Sequence, residues 1–156
     1  MGLGGGVRLI KSDDSNFEGK FTPMLYGGYK ILPWAFALEA LYYDDESDAG
    51  TSYTIENKHY EASIYALRFI NYEEGKAINP YVLGGWGLFQ ERLTSNFMGA
   101  VDKDKSKLNS AVKIGLGAWA PLGSLAFINL EAKGMYSKDF TPDLIFELSS
   151  KVGVDF

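Results

Sequence analysis

The stretch that most constrains this chain is its last, Asp143 to Phe156, DLIFELSSKVGVDF. At alternate positions Leu144, Phe146, Leu148, Val152, Val154 and Phe156 form an apolar series interrupted only by Ser150. The other series, Glu147, Ser149, Lys151, Gly153 and Asp155, is charged, polar or small after its first member, Ile145. Successive side chains of a strand point to opposite faces. The pattern therefore predicts one long amphipathic strand with no helical period, and an apolar face of that length has to be covered.

The same period recurs upstream. Strands are predicted at about 2–11, 20–31, 34–44, 58–70, 80–92, 108–120 and 125–137. In the third, Phe36, Leu38 and Tyr42 oppose Glu39; in the fourth, Tyr60 and Ile64 oppose His59, Glu61, Ser63 and Tyr65. In the sixth, Val112, Ile114 and Leu116 oppose Lys113, Gly115 and Gly117; in the seventh, Ile128 and Leu130 oppose Asn129, Glu131 and Lys133. Leu67 and Phe69 break the alternation of the fourth strand. The fifth alternates poorly, and its reading sets Val82, Trp86 and Leu88 outward. Connections alternate between long polar loops (Ser12–Gly19, Asp45–Asn57, Thr94–Lys107) and shorter turns (Leu32-Pro33, Asn71–Asn79, Pro121–Ser124).

No run approaches the roughly 18 apolar residues of a transmembrane helix, but barrels escape that test because only every second residue meets lipid. Aromatics at 15% and 18 glycines suit a sheet protein. Cysteine is absent, which excludes disulfides and thiolate metal sites, and the net charge of −5 argues against a nucleic-acid partner. Eight strands of about 9–11 residues with alternating long and short connections predict one all-β domain spanning 1–156, an eight-stranded antiparallel up-and-down transmembrane β-barrel. Tyr29, Trp34, Tyr42, Tyr81, Trp119 and Tyr136 gather near strand ends, as interfacial aromatic girdles do. Met1 opens directly into a strand pattern and is read as a start added to a mature sequence whose leader is gone.

Asn79-Pro80-Tyr81-Val82-Leu83-Gly84-Gly85-Trp86-Gly87-Leu88, then Val112 to Gly117, then Leu148 to Phe156, resemble successive strands of the small outer-membrane barrels, the OmpA transmembrane domain and OmpX group. The resemblance covers essentially the whole chain. It implies residence in the bacterial outer membrane, contact with lipid and lipopolysaccharide, and no cofactor. It also implies a closing strand, with Leu148, Val152, Val154 and the terminal Phe156, that the barrel assembly machinery reads. The sequence shows no peptidoglycan-binding domain after the closing strand, so a cell-wall anchoring role is not expected to carry over.

The alternation assigns eight charges to the inward face: Arg8, Lys113, Lys133 and Lys151 against Glu39, Glu61, Glu131 and Glu147. Counting up from the short turns puts Glu39, Lys113, Glu131 and Lys151 at one mid-barrel height, with Glu61, Lys133 and Glu147 above. An eight-stranded barrel has room inside only for its own side chains, and buried charges cost several kcal/mol each unless paired. The expectation is an ion-pair network that plugs the lumen; the alternative is a narrow pore. Catalysis is not expected. The single histidine, His59, shares a face with Glu61 and Ser63, but steps of about 7 Å between alternate residues are too long for a relay. The acidic groups Asp13, Asp14, Glu18 and Asp44, Asp45, Glu46, Asp48 match no calcium-loop spacing and read as solvated loops. The leading function is a structural or surface-interaction role with an unknown external partner at the loops. A lipid-modifying enzyme and a soluble ligand-binding barrel of lipocalin type are the more distant readings.

Overall fold

A computed structural model describes residues 2–11, 18–48, 53–97, 100–105, 108–138 and 144–155. The strands are β1 (Gly2–Lys11), β2 (Glu18–Ile31), β3 (Trp34–Asp48), β4 (Tyr53–Phe69), β5 (Asn79–Phe97), β6 (Ala100–Lys105), β7 (Asn109–Leu122), β8 (Ala126–Tyr136) and β9 (Leu144–Asp155). All pairings are antiparallel, and they run β4-β3-β2-β1-β9-β8-β7-β5, with β4 also paired to β5. That last pairing closes the sheet. β6 and β7 lie on the same side of β5, one opposite Arg92–Phe97 and the other opposite Asn79–Phe89. They fill one position between them, so the barrel is eight-stranded.

Closure sorts the side chains by parity. Leu130, Val152 and Val154 are 57%, 54% and 50% exposed, whereas Glu131 and Lys151 are 5% and 1% exposed. The apolar series faces out and the ionic series faces in, the reverse of a water-soluble barrel and the arrangement a lipid surround demands. Along β4 the alternation holds to the end of the strand. Leu67 and Phe69 are buried inside with Ala35, Ala37, Tyr65, Tyr81 and Leu83. The apparent break in the sequence is an apolar floor of the lumen near the short turns, where the inward face of the strand turns from polar to greasy.

Two predicted loops are partly sheet. The Asp45–Asn57 stretch continues β3 to Asp48 and resumes at Tyr53, with Asp48 opposite Thr54. The Thr94–Lys107 stretch forms a hairpin in which Phe97 opposes Ala100 and Arg92 opposes Lys105. Beyond the lipid nothing requires an apolar face, so the sequence signal vanishes while the backbone ladder runs on. The acidic group Asp13 and Asp14 lies outside the described residues.

The register between β1 and β2 shifts between Gly6 and Arg8, opposite the segment that carries Pro23. Proline has no N–H for the ladder and is at home in such an irregularity. Two extra residues on β2 preserve the inward and outward parity on both sides of it. At the short-turn end the β7–β8 turn has Gly123 at φ +77°, a left-handed conformation that favours glycine. The β4–β5 turn is tied by buried Asn79, whose Oδ1 accepts from Glu73 N–H at 3.1 Å and whose Nδ2 donates to Lys76 O at 3.4 Å.

Candidate functional site: the ionic lumen

The inward positions of β3, β4, β7, β8 and β9 converge on one side-chain network at the centre of the barrel. Lys133 Nζ sits 3.2 Å from Glu39 Oε1, 3.3 Å from Glu131 Oε2 and 2.8 Å from Glu147 Oε1. Lys151 Nζ lies 2.5 Å from Glu39 Oε2 and 2.7 Å from Glu131 Oε2. Above this group Lys113 pairs with Glu61. Glu61 Oε1 also accepts from Ser63 Oγ at 2.9 Å, and His59 Nε2 stands 3.5 Å from Oε2 of the same carboxylate. The Tyr65 hydroxyl links the two groups, accepting from Lys113 Nζ at 3.2 Å and donating to Glu39 Oε1 at 3.1 Å.

The heights counted from the turns describe the contacts of Lys151 with Glu39 and Glu131 and of Lys133 with Glu147, but not the others. Lys113 belongs with Glu61, and Lys133 joins Glu39 and Glu131. Strands of a closed barrel are tilted by about 35–45°, so equal residue counts on distant strands do not give equal heights. A lysine stem of four methylenes then reaches across the remaining offset. The Arg8 side chain, the fourth cation of the sequence reading, lies outside the described residues.

Every ionic side chain in this network has another ion against it, as burial requires. Ions taken out of water cost several kcal/mol each, and only close, hydrogen-bonded partners offset that. Tyrosine rings complete the packing. Lys133 Nζ is 5.1 Å from the Tyr65 centroid and Lys151 Nζ is 4.8 Å from that of Tyr26. Below, Tyr81 donates to Glu131 Oε1 at 2.7 Å. Its ring meets Phe69 edge to face at 5.5 Å between centroids, so it joins the ionic layer to the apolar floor.

Tyr81 and Trp119 correct the sequence-based girdle. Tyr81 is 1% exposed, inside the barrel. Trp119 packs on the lumen floor beside Phe127, with Lys30 Nζ 4.2 Å from its ring centroid. For Tyr81 the cause is cross-strand glycine: Gly117 faces it, and a Cβ there would run into the tyrosine ring. Gly85 does the same for Tyr65. The signal was present in the parity, because Tyr81 is an odd position on a strand read with Val82 and Trp86 outward. Trp119 shares the parity of inward Lys113. Tyr29, Trp34, Tyr42 and Tyr136 do face outward. Trp34 to Tyr42 covers about 20 Å of the membrane normal at about 3.3 Å per residue and roughly 40° of tilt, close to the roughly 25 Å apolar band of such barrels.

His59, Glu61 and Ser63 gather at one carboxylate, but in the wrong order for nucleophilic catalysis. Glu61 lies between the imidazole and the hydroxyl and is engaged by Lys113. His59 stacks on Phe89 at 5.9 Å. Among the described residues no group of His, Asp and Glu is arranged to hold a metal ion. On the closing strand Leu148, Val152 and Val154 face outward, and Phe156 lies outside the described residues.

No protein-family model matches the chain, and no curated protein does. Solved structures do. Neisserial surface protein A is 18% identical with a TM-score of 0.66, over 99% of this chain and 95% of that one. The N-terminal β-barrel domain of Pseudomonas aeruginosa OprF is 15% identical with a TM-score of 0.65, over 99% and 97%. Ail, the attachment invasion locus protein of Yersinia pestis, is 13% identical with a TM-score of 0.62, over 99% and 95%. At these identities the likeness is one of fold, and together with the apolar exterior and ionic interior it makes this chain an eight-stranded β-barrel of the outer-membrane type.

Proposed function

We propose that this barrel is a closed structural and surface-interaction protein of the outer membrane, and that its function lies in the hairpins beyond the lipid and not in conduction through its lumen. The observation that carries the reading is the lumen itself: Lys113, Lys133, Lys151 and Glu147 are each 2% exposed or less. Ions in transit need a continuous water path, and charged groups packed this closely against one another support a lumen without one. The side that remains for recognition is the sheet extending past the barrel wall, β3 with β4 and β5 with β6. The names of two structural neighbours, a surface protein and an attachment protein, lie in the same direction.

Leu148, Val152 and Val154 present the apolar face through which the closing strand would be read during assembly, and Tyr29, Trp34, Tyr42 and Tyr136 would mark the two interfaces, with lipopolysaccharide around the outer one. Single-channel recording of the purified barrel in planar bilayers tests the reading. A silent bilayer with verified insertion is the expected result; steady unitary conductance would replace it with the narrow-pore alternative.

A further inference from the structure

The outer wall across β2 to β5 is not uniformly filled. Tyr29, Phe36, Ala66 and Gly84 form one outward row in register, and Leu38, Ile64 and Trp86 stand in the next. Where the first row reaches Ala66 and Gly84 the side chains run out, and a groove of about 820 Å³ opens between Phe36, Ile64 and Trp86. That volume falls within the roughly 300–1,000 Å³ of ligand clefts. The groove is not imposed by the backbone. A Cβ on Gly85 would strike the Ile64 carbonyl and the Tyr65 ring, but around the Cβ position of Gly84 there is nothing within 4 Å, and its φ is not of the left-handed kind. Glycine weakens a strand interior. Here it gives up packing where a larger residue would fit, and the result is an apolar slot on the lipid side.

One row nearer the short turns, Arg68 faces outward two residues from Ala66, about 7 Å along the strand. Its guanidinium carbon lies 5.6 Å from the ring centroid of exposed Trp34. The slot therefore has an apolar body at membrane depth and a cation with an aromatic platform at its periplasmic rim, where headgroups lie.

We infer that this groove binds the acyl chain of an anionic glycerophospholipid of the periplasmic leaflet, with its phosphate on Arg68. The inference rests on the membrane reading above and adds to it one defined lipid site, on the leaflet opposite lipopolysaccharide. Charge complementarity selects this occupant: at the depth of the Arg68 rim a headgroup phosphate with no ammonium beside it meets the guanidinium unopposed, whereas a zwitterionic headgroup brings its own cation, and the apolar body continuous with that phosphate is its acyl chain.

Trp86 in the groove wall supplies the readout. In vesicles of mixed phosphatidylglycerol and phosphatidylcholine, a brominated acyl chain on one or the other lipid quenches its fluorescence, with Trp34 and Trp119 replaced by Phe to isolate the signal. Expected is preferential quenching by the brominated phosphatidylglycerol, reduced roughly fivefold by Arg68→Gln, the equivalent of about 1 kcal/mol. Arg68 is exposed, so this variant leaves the barrel intact. In native mass spectra of the wild-type barrel released from the same lipids, one retained phosphatidylglycerol is expected, and Gly84→Leu, which fills the slot, removes it. Ala66→Leu fills the neighbouring floor if the first variant does not fold. Equal quenching by both lipids overturns the inference, and so does retention that survives the filled slot. A barrel dimer that Gly84→Leu splits would assign the groove to a second copy and overturn the lipid. A wild-type chain that stays in solution without detergent would sink the membrane reading itself, whereas an inserted barrel with no lipid preference sinks only the site.

Discussion

The lumen has two storeys, and they are held by different physics. The upper one is ionic, with Lys113, Lys133 and Lys151 among Glu39, Glu61, Glu131 and Glu147. The lower one is apolar and aromatic, with Ala35, Leu67, Phe69, Tyr81 and Leu83 packed together and Tyr72 and Trp119 against them. Both lie in the same bore. The ionic storey depends on each charge finding its partner, so removing one member leaves the ions against it short of counter-charge. The apolar storey depends on volume, so a loss there is graded with the size of what is removed. A barrel interior free of lipid can use either, and this one uses tyrosine hydroxyls, at Tyr65 and Tyr81, to fasten one to the other.

The contrast is broken most sharply at Lys133, the cation three carboxylates share. Lys133→Met takes from Glu147 the lysine at 2.8 Å and leaves Glu39 and Glu131 to share Lys151; it is expected to cost about 3–5 kcal/mol, read as a lowered urea midpoint in lipid vesicles and loss of heat-modifiable mobility on gels. A loss under 1 kcal/mol there would mean that the ions are not holding the storey. In the lower storey Leu67→Ala is expected to cost about 2–5 kcal/mol, with the cavity setting the value, and unlike Lys133→Met it should be largely rescued by Leu67→Met. Tyr81→Phe sharpens the border between the two, because it keeps the ring on Gly117 and removes only the bond to Glu131. About 1.5–3 kcal/mol is expected for a bond to a charged acceptor, and a neutral result would show that the storeys are independent. The smallest effect belongs to the surface. Lys76→Ala breaks the exposed 3.4 Å pair with Glu73 and should change stability by less than about 0.5 kcal/mol. Raising salt from about 0.1 to 1 M, which shortens screening from about 10 to 3 Å, should likewise leave the Lys133 effect nearly unchanged.

The two storeys were also unequally legible. Lys113, Glu131, Lys133, Glu147 and Lys151 stand out in the sequence because each is a lone charge between uncharged, mostly apolar neighbours, so period two places them inward without ambiguity. Leu67, Phe69 and Tyr81 carry no such contrast, since lipid and a greasy floor ask for the same residues. Tyr81 and Trp119 were misplaced because an aromatic near a strand end suits an interfacial girdle as well as a lumen floor; strand parity separates the two, and for Tyr81 the cross-strand Gly117 makes the inward place possible. The outer hairpins were hidden for a third reason. Above the membrane neither face of a strand is constrained, so Asp45 to Asp48 and Thr94 to Phe97 read as loops until the ladder is seen.

What the sequence by itself determined was the strand period, the number of barrel positions and which face each isolated charge would take, because these depend only on alternation and on the contrast between lipid and ion. Only the tertiary structure decided which lysine meets which glutamate, how far the sheet rises past the lipid, and where the outer wall thins to a slot at Gly84. Those follow from tilt, register and the opposition of residues far apart in the chain, quantities that closure of the sheet sets and no local run of residues contains.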